Sequence, residues 1–230
     1  MKLVPNRLRQ LVETGLGPLI DGLIVARVHP NTLTTIGFLT LVGSGVAFGL
    51  AQVRLGGGLL LLSGVIDMLD GRVARGGGRL SQFGAFYDST LDRVGEAALM
   101  AGITVFFLNG GVPAEWAVWA VLSSSVAMAS GLIVSYARAR AEGLMLECKV
   151  GLVQRAERIL GLGVPTVFFG AGRDGILLLS IVTMLALLAV VTIIQRIHHV
   201  YKLTRSTTPE GPSTVPLPAL ADSLKERVRR

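Results

Sequence analysis

The chain is poor in the features that mark most soluble enzymes. Charged residues make up 16% of its 230 positions, well below the ~25% of an ordinary soluble domain. Aromatic residues account for 6%, and the basic residues are scattered among apolar ones with no aromatic platform between them. The net charge of +7 therefore does not point to nucleic acid, which such proteins grip by stacking bases. It reads instead as membrane topology and attraction to anionic lipid headgroups. A single cysteine, Cys148, excludes an internal disulfide, and it sits on a predicted cytoplasmic loop. No internal repeat is visible at any period. Residues 1–28 lack the uninterrupted apolar core of a secretory signal, because Lys2, Arg7 and Arg9 are interleaved with apolar residues and Glu13 and Asp21 break the run. They read as an interfacial amphipathic helix leading into the membrane.

What the sequence does have is apolar length. Asn31–Val53, Trp116–Ala137 and Gly175–Gln195 contain no charged residue over 23, 22 and 21 positions, and ~20 suffice to cross a bilayer. Three shorter runs, Leu55–Ile66, Ala97–Val112 and Ile159–Gly172, each border charged sequence that still looks helical. They read as spans two, three and five, with polar ends that form part of a site. The expected fold is an all-α integral membrane protein: a juxtamembrane segment at 1–28, a six-helix membrane domain at 29–203 and a flexible cytoplasmic tail at 204–230. With six spans, 20 of the 22 Lys and Arg residues fall on one side, leaving Arg54 and Arg173 opposite. The positive-inside rule then puts both termini on the cytoplasmic face of the cell (inner) membrane. The tail holds four of the nine prolines between Ser206 and Pro218, followed by "ALADSLKERVRR", a candidate basic amphipathic helix.

Against this greasy background, residues 67–92 read "DMLDGRVARGGGRLSQFGAFYDSTLD". Asp67 and Asp70 are spaced i, i+3 and Asp88 and Asp92 i, i+4, so each pair shares one helix face. The glycine-rich connection is expected to fold the second helix back beside the first. Gly64, Gly71, Gly84 and Gly95 would then allow close backbone approach, and the two acidic faces would meet. Each ionised aspartate near the membrane costs roughly 2.5–3.5 kcal/mol even on a lenient scale, so protons, arginines or metal must compensate. A cluster of oxygen ligands suits a hard cation, Mg²⁺, Mn²⁺ or Ca²⁺ ahead of zinc. Two such ions would clamp a diphosphate.

The order Asp67-x2-Asp70-Gly71-x2-Ala74-Arg75-x8-Gly84-x3-Asp88-x3-Asp92 resembles the signature of the CDP-alcohol phosphatidyltransferases, with all eight fixed positions filled. The resemblance covers about Pro30 to Arg196. It implies metal-dependent transfer of a phosphatidyl group from CDP-diacylglycerol to the hydroxyl of a small alcohol, with release of CMP, by a homodimer using Mg²⁺ (two ions, with Mn²⁺ as the substitute). On that resemblance Asp67, Asp70 and Asp88 are the principal metal ligands, while Asp92 contacts the second metal and acts as general base. Asn31, Thr34, Gly71, Ala74, Arg75, Ser81 and Gly84 match positions at the CDP moiety. The chemistry of these residue types agrees: Gly71 lets a nucleotide approach the helix closely, and Arg75 donates to phosphate in a fork that lysine cannot reproduce.

"SYARARAEG" and "GLVQRAERI" bring Arg138, Arg140, Arg155 and Arg158 to the cytoplasmic ends of spans four and five, and Arg196 ends span six. These segments resemble the bacterial phosphatidylinositol phosphate synthases, in which Arg138, Arg155 and Arg196 would match acceptor-phosphate contacts. The chain departs from them at Arg138, where lysine is usual, so glycerol 3-phosphate, serine or an unphosphorylated alcohol stay open as acceptors. A proton- or cation-coupled transporter is the alternative of another class. It predicts acids dispersed along a pathway and often an inverted repeat, whereas these acids sit together at one interface. Tyr87-Asp88 also resembles one half of an intramembrane aspartyl protease motif, but the Gly-x-Gly-Asp half is absent.

Overall fold

The computed structural model describes residues 6–148, 150, 151 and 155–206, and every regular element among them is helical. α1 covers Asn6–Val25, α2 Pro30–Gly49, α3 Val53–Gly76, α4 Gln82–Phe106, α5 Ala114–Glu142, α6 Arg155–Phe169 and α7 Ile176–Ser206. Local chemistry sets several of these boundaries. Nδ1 of His29 accepts from the Asn31 backbone N–H at 3.2 Å and Pro30 opens α2, where its fixed φ and missing donor cost nothing. The Oγ of Ser81 accepts from the Gly84 N–H at 2.9 Å and caps α4. That helix ends in a π turn, Phe107–Gly111, which Gly110 closes at a φ of 85°.

The three long uncharged runs correspond to Pro30–Gly49, Ala114–Glu142 and Arg173–Arg205, the described segments long and apolar enough to cross a membrane. The shorter runs form parts of longer helices. α3 and α4 have 24 and 25 residues, roughly 36 and 38 Å at helical rise. α6 has 15 residues, about 22 Å, less than the ~30 Å of bilayer hydrocarbon. The helices alternate in direction. At one end, Arg79 Nη1 donates to the Arg27 carbonyl at 2.9 Å, joining the α3–α4 connection to the end of α1. At the other, a Cβ on Gly170 would lie 3.8 Å from Arg54 Nε, joining the foot of α6 to the head of α3.

One expectation is corrected here. α3 and α4 do not pack against each other; α2 lies between them and packs closely on both, while α6 covers α3 and α5 pairs with α7. The glycines expected to join α3 to α4 serve other neighbours: Gly64 faces Ile159 of α6 and Gly95 faces Leu41 of α2. α2 and α4 meet backbone to backbone, where a Cβ on Gly102 would stand 1.9 Å from the Gly45 carbonyl oxygen, so neither position has room for a side chain. The acidic faces meet all the same, because the aspartate side chains reach across the space that α2 sets between their helices.

The main core joins α2, α3, α4, α6 and α7 through Leu41, Phe48, Leu60, Ile103, Leu162 and Val182. A smaller cluster of Ile20, Leu33, Leu69 and Val73 holds α1 against α2 and α3 below the acidic residues. α7 continues through Ser206, so the first residues of the expected tail are helical. Positions 207–230, with the candidate amphipathic helix, lie outside the described residues.

Candidate active site

The register of α3 and α4 brings Asp67, Asp70 and Asp88 together. Each offers a carboxylate oxygen, and the three oxygens lie within 4.8 Å of one another. Asp70 is the most buried, at 6% exposure, and its Oδ2 accepts from Thr34 Oγ1 of α2 at 2.9 Å. Oδ1 of Asp88 is buried without a hydrogen-bond partner among the described residues. An orphaned carboxylate oxygen beside two further acids is what a hard divalent cation would satisfy, so the donor set fits one.

Asp92 stands outside this trio. Its Oδ2 receives Arg155 Nη1 at 2.5 Å and Arg93 Nη1 at 3.2 Å. The same Arg155 nitrogen reaches Asp67 Oδ1 at 2.7 Å, so α6 inserts a guanidinium between the acids of α3 and α4. Asp92 is thereby held by two guanidinium groups, those of Arg155 and Arg93, with Asp67 and Asp88 close by. Below it, Glu96 contacts both Arg155 Nε at 3.3 Å and Arg158 Nη2 at 3.2 Å. Glu96 is the residue that sequence reasoning missed. The signal was available, since Asp88, Asp92 and Glu96 follow at four-residue steps on one face of α4.

The residues expected at the CDP moiety separate into two groups around these acids. Asn31, Ser81 and Gly84 converge: a Cβ on Gly84 would meet Ser81 Oγ at 3.0 Å and Asn31 Oδ1 at 3.3 Å. On α3, the exposed Arg75 folds over Gly71, with Nη1 3.4 Å from where a Gly71 Cβ would stand, and Ala74 lies half-buried on the next turn. Thr34 belongs with neither group, because its hydroxyl is committed to Asp70. The three arginines expected at an acceptor phosphate are likewise engaged within the chain. Arg138 is half-exposed and pairs with Glu142 at 2.8 Å. Arg155 lies among the acids. Arg196 is buried, donating to the Val150 carbonyl at 3.1 Å and to the Val134 carbonyl, and Arg138 and Arg158 lie within coulombic range of it.

The chain is similar to known proteins over most of its length. The family model described as CDP-alcohol phosphatidyltransferase matches residues 27–204. The chain is 38% identical over 161 residues to the phosphatidylinositol phosphate synthase of Cutibacterium acnes, covering 70% of this chain and 76% of that one. It is 37% identical over 155 residues to the archaetidylinositol phosphate synthase of Methanothermobacter thermautotrophicus, covering 67% and 73%. Among solved structures, the phosphatidylinositol phosphate synthase of Mycobacterium tuberculosis with CDP-DAG bound superposes with a TM-score of 0.69 at 26% identity, over 87% of this chain and 98% of that one. The same enzyme in complex with manganese and citrate gives 0.69 at 27% identity, over 80% and 88%.

Proposed function

Because the chain belongs to the CDP-alcohol phosphatidyltransferase family, we propose that it transfers a phosphatidyl group from CDP-diacylglycerol to a hydroxyl of inositol phosphate, forming phosphatidylinositol phosphate and releasing CMP. The observation that carries this reading is the convergence of Asp67, Asp70 and Asp88 within 4.8 Å, in a fold whose solved relative binds CDP-DAG. Inositol phosphate is favoured because relatives named for different lipids both carry it in their names.

Asp67, Asp70 and Asp88 would hold Mg²⁺, with Mn²⁺ as the substitute, and Asp92 would serve a second ion. When bound, the metal neutralises the pyrophosphate and stabilises the departing CMP. Thr34 holds Asp70 in place through the hydrogen bond to its Oδ2. Asn31, Ser81, Gly84, Gly71, Ala74 and Arg75 form the CDP cradle, in which the small residues admit the nucleotide and Arg75 donates to phosphate. Asp92 takes the proton from the acceptor hydroxyl as it attacks the β-phosphate, and a nearby divalent cation would keep the carboxylate ionised for that role. Arg138, Arg155 and Arg196 form the acceptor side, with Arg155 exchanging part of its hold on the acids for the acceptor phosphate. No covalent intermediate is needed if the acceptor attacks directly.

The topology belongs to the same proposal. α2 to α7 cross the inner membrane six times, α1 lies along its cytoplasmic surface, and the acids, both termini and the tail face the cytoplasm. The active unit is a homodimer.

An acceptor panel tests the reaction. Purified protein in CDP-diacylglycerol micelles with Mg²⁺ should release CMP and form lipid product with inositol phosphate, and chelation should stop it. Product with glycerol 3-phosphate, serine or free inositol but none with inositol phosphate would reassign the acceptor. No CMP release with any of them would overturn the transferase reading.

A further inference from the structure

Glu96 has no part in the reaction described above, yet its side chain reaches from α4 to two arginines of α6. It continues the ladder of Asp88 and Asp92 down one face of α4. Its side chain keeps 18% exposure, and a single oxygen, Oε1, faces two guanidinium groups, Arg155 Nε and Arg158 Nη2. On the far side α5 makes room: a Cβ on Gly131 would lie 2.7 Å from Arg158 Nη1. Beyond Glu96, Arg155 Nη1 bridges Asp67 and Asp92. A continuous line of alternating charge therefore runs from Arg158 through Glu96 and Arg155 to two of the aspartates.

We propose that Glu96 is a positioning residue: by dividing its carboxylate between Arg155 and Arg158, it sets how strongly Arg155 competes with divalent cations for Asp67 and Asp92. The proposal rests on the reading that these aspartates face the metal. A guanidinium and a divalent ion draw on the same carboxylate oxygens, so whatever holds Arg155 back favours the ion. Without the Glu96 charge, Arg155 leans wholly on Asp67 and Asp92 and cation affinity falls. Without Arg158, Glu96 acts on Arg155 alone and cation affinity rises. Without Arg155, Glu96 has no lever on the metal beyond its own weak field.

The test is a Mn²⁺ titration of the purified full-length protein in detergent, with free Mn²⁺ read by electron paramagnetic resonance and no substrate present. Glu96→Gln should weaken Mn²⁺ binding roughly three- to tenfold, and the same change in an Arg155→Gln background should shift it less than about twofold. Arg158→Gln should tighten binding. Wild-type affinity in Glu96→Gln, or equal weakening with and without Arg155, overturns the proposal. Should Glu96→Gln fail to fold, Arg158→Gln decides, since unchanged or weaker binding in that variant overturns it as well. Wild-type protein that binds Mn²⁺ but transfers to no acceptor sinks the transferase reading and leaves this one standing. Wild-type protein that takes up no Mn²⁺ sinks both.

Discussion

Asp92 and Asp70 have the same side chain, but the groups around them suit them to different work. Asp70 takes a hydroxyl from Thr34 and joins the close trio, whereas Asp92 is held by two arginines outside it. Replacing Asp92 by Asn keeps the shape and removes the proton acceptor. Turnover should fall by roughly 10²–10⁴, the usual worth of a general base, while CDP-diacylglycerol binding, measured by titration, stays near wild type. Near-normal turnover in Asp92→Asn would assign the base elsewhere. The four aspartates were legible in the sequence because their spacing matches a helix face and their cost in an apolar chain demands a purpose. The partners of Thr34 and Arg155 were not. A hydroxyl 36 positions from Asp70 and a guanidinium 88 positions from Asp67 meet those acids only through the packing of α2 and α6, which no local pattern encodes.

Among the helices, the same limit separates what periodicity reveals from what packing decides. Three spans were plain because 20 apolar residues have few alternatives to a membrane helix. The neighbour of each helix was not, and the expected α3–α4 contact proved to be two contacts with α2. Glycine count alone could not distinguish these arrangements, since a small residue permits close approach without naming the partner. The α2–α4 contact gives this a measurable form. A methyl group on Gly102 would stand 1.9 Å from a backbone carbonyl of α2, and backbone against backbone has no rotamer to escape into. Gly102→Ala should cost about 1–3 kcal/mol or more, the range for overpacking, seen as a lower melting temperature in detergent. Gly58→Ala, on α3 with nothing within 4 Å, should leave melting unchanged or raise it, because alanine favours the helix by up to about 1 kcal/mol.

Across the whole molecule, the arrangement of charge ties the site to one side of the membrane. The helices alternate, so the connection at residues 76–81 lies at the same end as the start of α2, and Arg54 shares the other with residues 170–175. Under the six crossings proposed above, all but two of the basic residues would fall toward the first end, the side that the positive-inside rule assigns to the cytoplasm. In the orientation proposed above, the acids and the arginines that pair with them would meet the acceptor and release CMP on the cytoplasmic face. Cysteine labelling in intact cells checks the orientation. Cys148 is buried at 1% exposure and is replaced by serine to clear the background. Arg173→Cys occupies a position whose side chain is 96% exposed, and Arg140→Cys lies exposed in the last turn of α5. A membrane-impermeant maleimide should label Arg173→Cys in whole cells and Arg140→Cys only after lysis. The reverse pattern would invert the molecule, and labelling of both in whole cells would mean that α5 to α7 do not alternate across the bilayer. Either result would also move the aspartates away from the compartment where CDP-linked lipids meet their phosphorylated acceptors.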